Sequence, residues 1–175
     1  MRDVTIARNY AETLFELGTR VGAVERYGEI LDEAAAAFSA PSVEPMLMSP
    51  RVTKDEKARI VARALEGAPG PFVQFVVAVI KRGRQLLINT IADEYRALLD
   101  AKLGRVRASI TLARDADPLT RQQISERLSK AIGKDVIAAF TTDPAILGGT
   151  VVRIGDLVYD GSLRKRLGRL RRQLL

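Results

Sequence analysis

The hydrophobic period of this chain changes at Gly104, and that change limits the folds open to it more than any other feature. Up to about Lys102 the apolar residues recur every three or four positions. Beyond Gly104, "RVRASITLA" alternates instead, with Val106, Ala108, Ile110 and Leu112 on one side and Arg107, Ser109 and Thr111 on the other. A period near 3.6 belongs to helices and a period of two to half-buried strands, and neither pattern can serve for the other. The expected fold class is therefore α+β: an N-terminal six-helix bundle over residues 1–105, followed by a small α/β C-terminal domain over 106–175.

Within the first part, Ile6, Tyr10, Leu14, Leu17 and Val21 share a side of one helix with Ala7, Ala11, Phe15 and Gly18. Together they span about half its circumference, whereas a helix lying on one core needs a stripe only a little wider than about 100°. Either a second helix of the same bundle covers the surplus, or it is left for a partner. A second helix is expected over 23–39, before Pro41 and Pro45, and Met46-Leu47-Met48 reads as an apolar turn. Thr53 followed by Glu56 is a capping-box signature for a helix reaching Leu65, and residues 67–71 read as a loop. "FVQFVVAVI" at 72–80 is apolar almost all round, so it could be a buried strand or a central helix. Its helical neighbours favour the helix. Leu87, Ile91, Tyr95, Leu98 and Leu99 carry the helical period on to about Lys102.

In the second part, Asp117-Pro118 supplies an N-cap and a proline at the first helical position, for a helix ending near Gly133. "DVIAAFTTD" reads as a strand, and "TVVRI" and "LVY" flank a two-residue Gly155-Asp156 turn of hairpin type. Gly148-Gly149 enters a β-rich stretch, without the Lys-Ser/Thr pair of a phosphate loop, and reads as a backbone break. Asp156 and Asp160 read as turn and cap residues rather than metal ligands, with Asp160-Gly161-Ser162 opening a last helix.

Cysteine and histidine are both absent. That removes disulfides, thiolate metal sites, cysteine nucleophiles and the commonest general base and metal ligand, so no enzyme activity and no cofactor are expected. No run of about eighteen apolar residues suggests a membrane span, and the opening Met1-Arg2-Asp3 is no secretory signal. The chain is expected to be a soluble globular protein of the cytoplasm. Residues 1–105 hold 15 Lys/Arg against 14 Asp/Glu, and residues 106–175 hold 13 against 7, so the net charge of +7 is concentrated late in the chain.

Most of that excess lies in the tail. Leu163, Leu167, Leu170 and Leu174 form a narrow stripe, and Arg164, Lys165, Arg166, Arg169, Arg171 and Arg172 fill the remaining arc. Such a helix could cover the small sheet with its arginines solvated, dock on an acidic partner helix, adsorb to anionic lipid or meet phosphate. No Phe or Trp is interleaved with the cations, which disfavours nucleic acid. A leucine-only, narrow apolar face disfavours lipid. A protein partner and a solvated face both remain open.

Residues 143–170, "DPAILGGTVVRIGDLVYDGSLRKRLGRL", resemble the C-terminal signature of the delta-subunit family of bacterial F-type ATP synthases, relatives of the mitochondrial oligomycin-sensitivity-conferring protein. The Gly148-Gly149 pair, Arg153-Ile154-Gly155-Asp156 and Asp160-Gly161-Ser162 occur in order and at the family's spacing. "IARNYAETLFELG" is similar to the family's first helix, with Ala7, Arg8, Tyr10 and Ala11 at its core, and Gly83-Arg84 is also similar. The resemblance covers essentially the whole chain.

That resemblance implies a non-catalytic connector at the cytoplasmic face of the cell membrane, peripheral and without direct membrane insertion. It implies that the bundle takes the N-terminal helix of an alpha subunit into a groove between its first and fifth helices. The second domain would bind the b subunits of the peripheral stalk, so that the catalytic head stays still while the rotor turns. Carried onto this sequence, the groove would use Ile6, Tyr10, Thr13 and Leu17 against Gln74 and Ala78. The stalk contact would use Leu163, Arg164, Arg166, Leu167 and Leu170. One departure is the tail, more basic than the family pattern, with Lys165 and Gly168 among the arginines.

Overall fold

The change of period at Gly104 is a change of architecture in the computed structural model, which describes residues 2–173. Six helices precede it: α1 (Arg2–Arg20), α2 (Val24–Phe38), α3 (Glu44–Met48), α4 (Lys54–Ala64), α5 (Gly70–Lys81) and α6 (Ile88–Lys102). After it come β1 (Arg105–Leu112), α7 (Pro118–Ile132), β2 (Asp135–Thr142), β3 (Thr150–Ile154), β4 (Leu157–Asp160) and α8 (Leu163–Gln173). The chain divides into two compact units, residues 1–99 and 100–175, so the boundary falls inside the last turns of α6.

Local chemistry explains where the helices begin. The Thr53 hydroxyl accepts a hydrogen bond from the Glu56 amide at 3.2 Å, and the Glu56 carboxylate accepts from the Thr53 amide at 3.0 Å. This reciprocal pair satisfies two otherwise orphaned donors and starts α4. Two expectations need correction here. Met46-Leu47-Met48 is not a turn but the end of the short helix α3, with Pro45 in its first turn and Leu47 buried. Gly70 and Pro71 are not loop but the first turn of α5, where a proline gives up no hydrogen bond.

The first unit is organised around aromatic side chains. Tyr95 and Tyr27 are fully buried, each edge-on to a phenylalanine: Phe15 at 5.5 Å from Tyr95, Phe72 at 5.7 Å from Tyr27. The Tyr95 hydroxyl donates to the Val24 carbonyl at 2.8 Å, and burial pushes its pKa up. Gly18 makes room for this ring: a Cβ there would stand 3.2 Å from the Tyr95 hydroxyl and 3.2 Å from the Val24 Cα. Buried Lys57 is satisfied by donating to the Ser49 carbonyl at 2.8 Å, which ties α4 to the end of α3.

In the second unit the strand order is β2-β1-β3-β4. β1 and β2 run parallel, joined through α7, while β1–β3 and β3–β4 are antiparallel. Ala108 pairs with Ala138 and Ile154, and Ile110 with Phe140 and Val152, so the alternation seen in the sequence presents one apolar face. Ile124, Leu128 and Ile132 of α7 pack on that face, over buried Ala108, Ile110 and Val136. Asp117 caps α7 by accepting from the Thr120 amide at 2.6 Å, and Gly133 ends it at φ 71°. The β3–β4 turn is Gly155-Asp156, with Gly155 at φ 55°.

Candidate functional site: an open groove between two helices

α1 uses only part of its apolar arc on the core. Ala7, Ala11 and Leu14 are wholly buried, with Gly18 on the same line. The adjoining edge, Ile6, Tyr10, Thr13 and Leu17, is half-buried or exposed. α5 is divided likewise. Phe72, Phe75, Val76, Val79 and Ile80 turn inward, while exposed Gln74 and half-buried Ala78 look outward. Between these two edges lies a groove of about 620 Å³, lined by all six of the residues expected there. The bundle's own helices therefore cover the surplus arc of α1 only in part: Tyr10 and Leu17 pack against the core and also line the open groove.

The groove has a largely apolar middle and polar edges. Tyr10 stands edge-on to Phe75, with ring centroids 6.0 Å apart. Asn9, Thr13 and Gln74 supply polar groups, and the Thr13 hydroxyl is already engaged with the Asn9 carbonyl at 2.8 Å. Arg84 lies over Tyr10, its guanidinium carbon 5.6 Å from the ring centroid and one of its nitrogens 3.4 Å from the hydroxyl. Sequence reasoning missed Asn9, Pro71, Phe75, Arg82 and Arg84 as lining residues. Helical spacing could have found several of them: Asn9 and Thr13 are four apart, and Pro71, Gln74, Ala78 and Arg82 follow steps of three, four and four along one side of α5.

Among the described residues no group of three or more acidic side chains could hold a metal ion, and no helix is long and apolar enough to cross a membrane. The carboxylates with displaced pKa values accept hydrogen bonds at or just before helix starts. Backbone and hydroxyl hydrogen bonds from Thr53 and Thr120 hold Glu56 and Asp117 below the usual carboxylate range. The Ser162 hydroxyl and amide do the same for Asp160.

A second exposed surface lies on α8. Leu163, Leu167 and Leu170 are 46%, 56% and 54% exposed, so the idea that they cover the small sheet is wrong for these three. The reason is that α7 already occupies the apolar face of the sheet, and α8 packs instead on the short turn Pro144–Ile146. Arg164 and Arg166 are exposed beside them. Leu174 lies outside the described residues, as do the side chains of Arg171 and Arg172. Gly148-Gly149 is the break expected, with a tight purpose: a Cβ on Gly148 would come 2.7 Å from the Leu163 side chain, and Gly149, at φ 80°, lies against the Gly161 carbonyl.

Comparison with known proteins agrees with this architecture. The profile of the family described as ATP synthase delta (OSCP) subunit matches residues 6–174. The ATP synthase subunit delta of Gemmatimonas aurantiaca is 43% identical over 172 residues, which is 97% of this chain and 93% of that protein. That of an Anaeromyxobacter species is 39% identical over 176 residues, 97% of each. A chain in the cryo-EM structure of the Toxoplasma gondii mitochondrial ATP synthase hexamer shares the fold, with a TM-score of 0.69, 18% identity and 96% of each chain covered. With the family profile spanning nearly all of its length and relatives of this identity aligned end to end, the chain belongs to the ATP synthase delta (OSCP) subunit family.

Proposed function

We propose that the α1–α5 groove receives the N-terminal helix of an alpha subunit, and that α8 with the surface around it meets the b subunits of the peripheral stalk, at the cytoplasmic face of the cell membrane. As a member of its family the chain is a non-catalytic stator subunit of F-type ATP synthase, peripheral to the membrane. The proposal concerns which surfaces do the connecting. One observation carries it: the edge of α1 from Ile6 to Leu17 is only partly used by the bundle's core and faces α5 across an open groove. An amphipathic helix laid there would bury that edge, the helix-in-groove mode. A connector under torque gains from such area rather than from any single bond. The exposed leucines and arginines of α8 support the second contact, since an acidic amphipathic stalk helix would answer both.

Calorimetric titration of the whole chain with a synthetic peptide of the alpha-subunit N-terminal helix tests the first contact. Tyr10→Asp sets a charge in the apolar middle of the groove and is expected to weaken binding by about a hundredfold or more. The circular dichroism of the folded chain should not change, because Tyr10 is only half-buried. Undiminished affinity would remove this groove from the reading.

A further inference from the structure

One residue of the sheet unit is held against its own backbone preference. Leu147 closes the short turn Pro144–Ile146 at φ 63° and ψ −26°, and among the described residues it is the one non-glycine with a positive φ. A Cβ crowds the following carbonyl in left-handed backbone, so glycine or asparagine is the ordinary occupant. Leu147 is also 64% exposed, so burial of its side chain offsets little of that strain, while its neighbour Ile146 is buried. The surroundings impose the conformation. Ahead of the turn the Asp143 amide donates to the Leu112 carbonyl at 2.8 Å, and the Asp143 carboxylate accepts from the Ala145 amide at 2.9 Å. After it the Leu163 amide donates to the Gly148 carbonyl at 3.0 Å. The leucine is thus fixed one residue from the point where the turn meets the start of α8. That helix carries the exposed Leu163, Leu167 and Leu170. Arg164 and Arg166 are exposed beside them, and among the described residues no acidic side chain pairs with either.

We infer that Leu147 is an anchor of the stalk contact: it seats among the apolar side chains of a b-subunit helix whose carboxylates meet Arg164 and Arg166. This rests on the proposal that α8 meets the b subunits, and it extends that contact from the helix to the turn before Gly148-Gly149. Strained backbone held in place by its surroundings clusters at sites that bind or react. A side chain already fixed in direction also loses little freedom when a partner covers it. Charge decides the occupant. α8 carries arginines and a lysine but no acidic residue, so a helix laid against it needs carboxylates beside its apolar face.

The test reads stability and binding on the same proteins, because an anchor of this kind sets the two in opposition. The parent, Leu147→Gly, Leu147→Ala, Leu147→Met and Leu167→Asp are each unfolded thermally as the whole chain. Each is then titrated with the b subunits of the same organism, purified in mild detergent. Leu147→Gly relieves the backbone and removes the side chain, so the Tm of the sheet unit should rise by about 2–4 °C while binding weakens roughly tenfold. Leu147→Ala keeps the Cβ, and with it the strain, and should weaken binding by a similar factor without raising the Tm. Leu147→Met keeps an apolar side chain of similar volume and should bind within about twofold of the parent.

If Leu167→Asp abolishes binding while Leu147→Gly and Leu147→Ala bind as the parent does, the stalk reading of α8 stands and the anchor is overturned. A lower Tm for Leu147→Gly overturns it too, since the side chain would then serve the fold. If the b subunits do not bind the parent, or bind Leu167→Asp equally well, the reading of α8 fails and this inference falls with it. The same follows if the parent binds phosphatidylglycerol vesicles through Leu147 and leaves the b subunits unbound.

Discussion

The two units of this chain solve the problem of burying apolar surface very differently. Twenty described residues form the continuous buried core of the helical unit, among them Tyr27, Tyr95, Phe72 and Phe75. The connected core of the sheet unit holds three buried described residues, Ala108, Ile110 and Val136, with α7 packed over them. Yet the sheet unit shows more large apolar side chains on its surface, including Leu119, Leu147, Leu157, Tyr159 and the three leucines of α8. Small units with thin cores are marginal, and contiguous apolar surface on them marks where a partner sits. The helical unit rests on a thick core of its own, whereas the sheet unit rests on a thin one and leaves more of its large apolar side chains exposed.

The sharpest way to break that contrast is in the cores. Phe72→Ala should cost about 3–5 kcal/mol, because the ring is wholly buried against Tyr27 and cannot be replaced by collapse of the bundle. Thermal unfolding read at residues of the helical unit would register it. Ile110→Ala should cost less, about 2–3 kcal/mol, since a thin core relaxes more readily. Hydrogen exchange should nonetheless show the whole sheet unit opening while the bundle stays protected, because so little else holds the sheet. Equal protection of the sheet in this variant would refute the idea of a marginal second unit.

Smaller changes sharpen the comparison. Thr53→Ala removes one half of the reciprocal cap of α4 and should lower the stability of the bundle by about 1 kcal/mol in denaturant titration. Acid should act on both units through their capped carboxylates. Asp117 and Asp160 have folded pKa values below their unfolded ones, so each favours the folded sheet unit above about pH 4. That contribution is lost as pH falls through the lowered folded values, and Glu56 behaves likewise in the bundle. Asp117→Asn keeps a capping oxygen but cannot titrate, so it should leave stability near neutrality almost unchanged and flatten the acid limb of the sheet unit's unfolding curve.

Much of this was legible beforehand. The switch of period at Gly104 announced helices and then strands, and the alternation of Val106 to Leu112 fixed which side of β1 would face α7. Caps at Thr53, Asp117 and Ser162 work within four residues of themselves, so their chemistry can be read directly from the chain. The six residues expected to share a groove do share one, because helical spacing sets which side chains line an edge and the family resemblance said which two edges to bring together. Pro45 and Pro71 were misread, since a proline that ends one helix and a proline that opens the next look alike in one dimension.

By itself the sequence determined the α+β division, the faces of each element and the absence of cysteine and histidine chemistry, all of which depend on neighbours a few positions away or on composition. Only the tertiary structure decided which apolar faces stay open. An amphipathic pattern says that a face is apolar, not whether another element of the chain will arrive to cover it. For α1 the edge from Ile6 to Leu17 is covered only in part, for α8 the sheet face was already taken by α7, and only folding brings Arg84 back over Tyr10, 74 positions away in the chain. Coverage is settled by long-range packing, in which distant elements compete for the same surface.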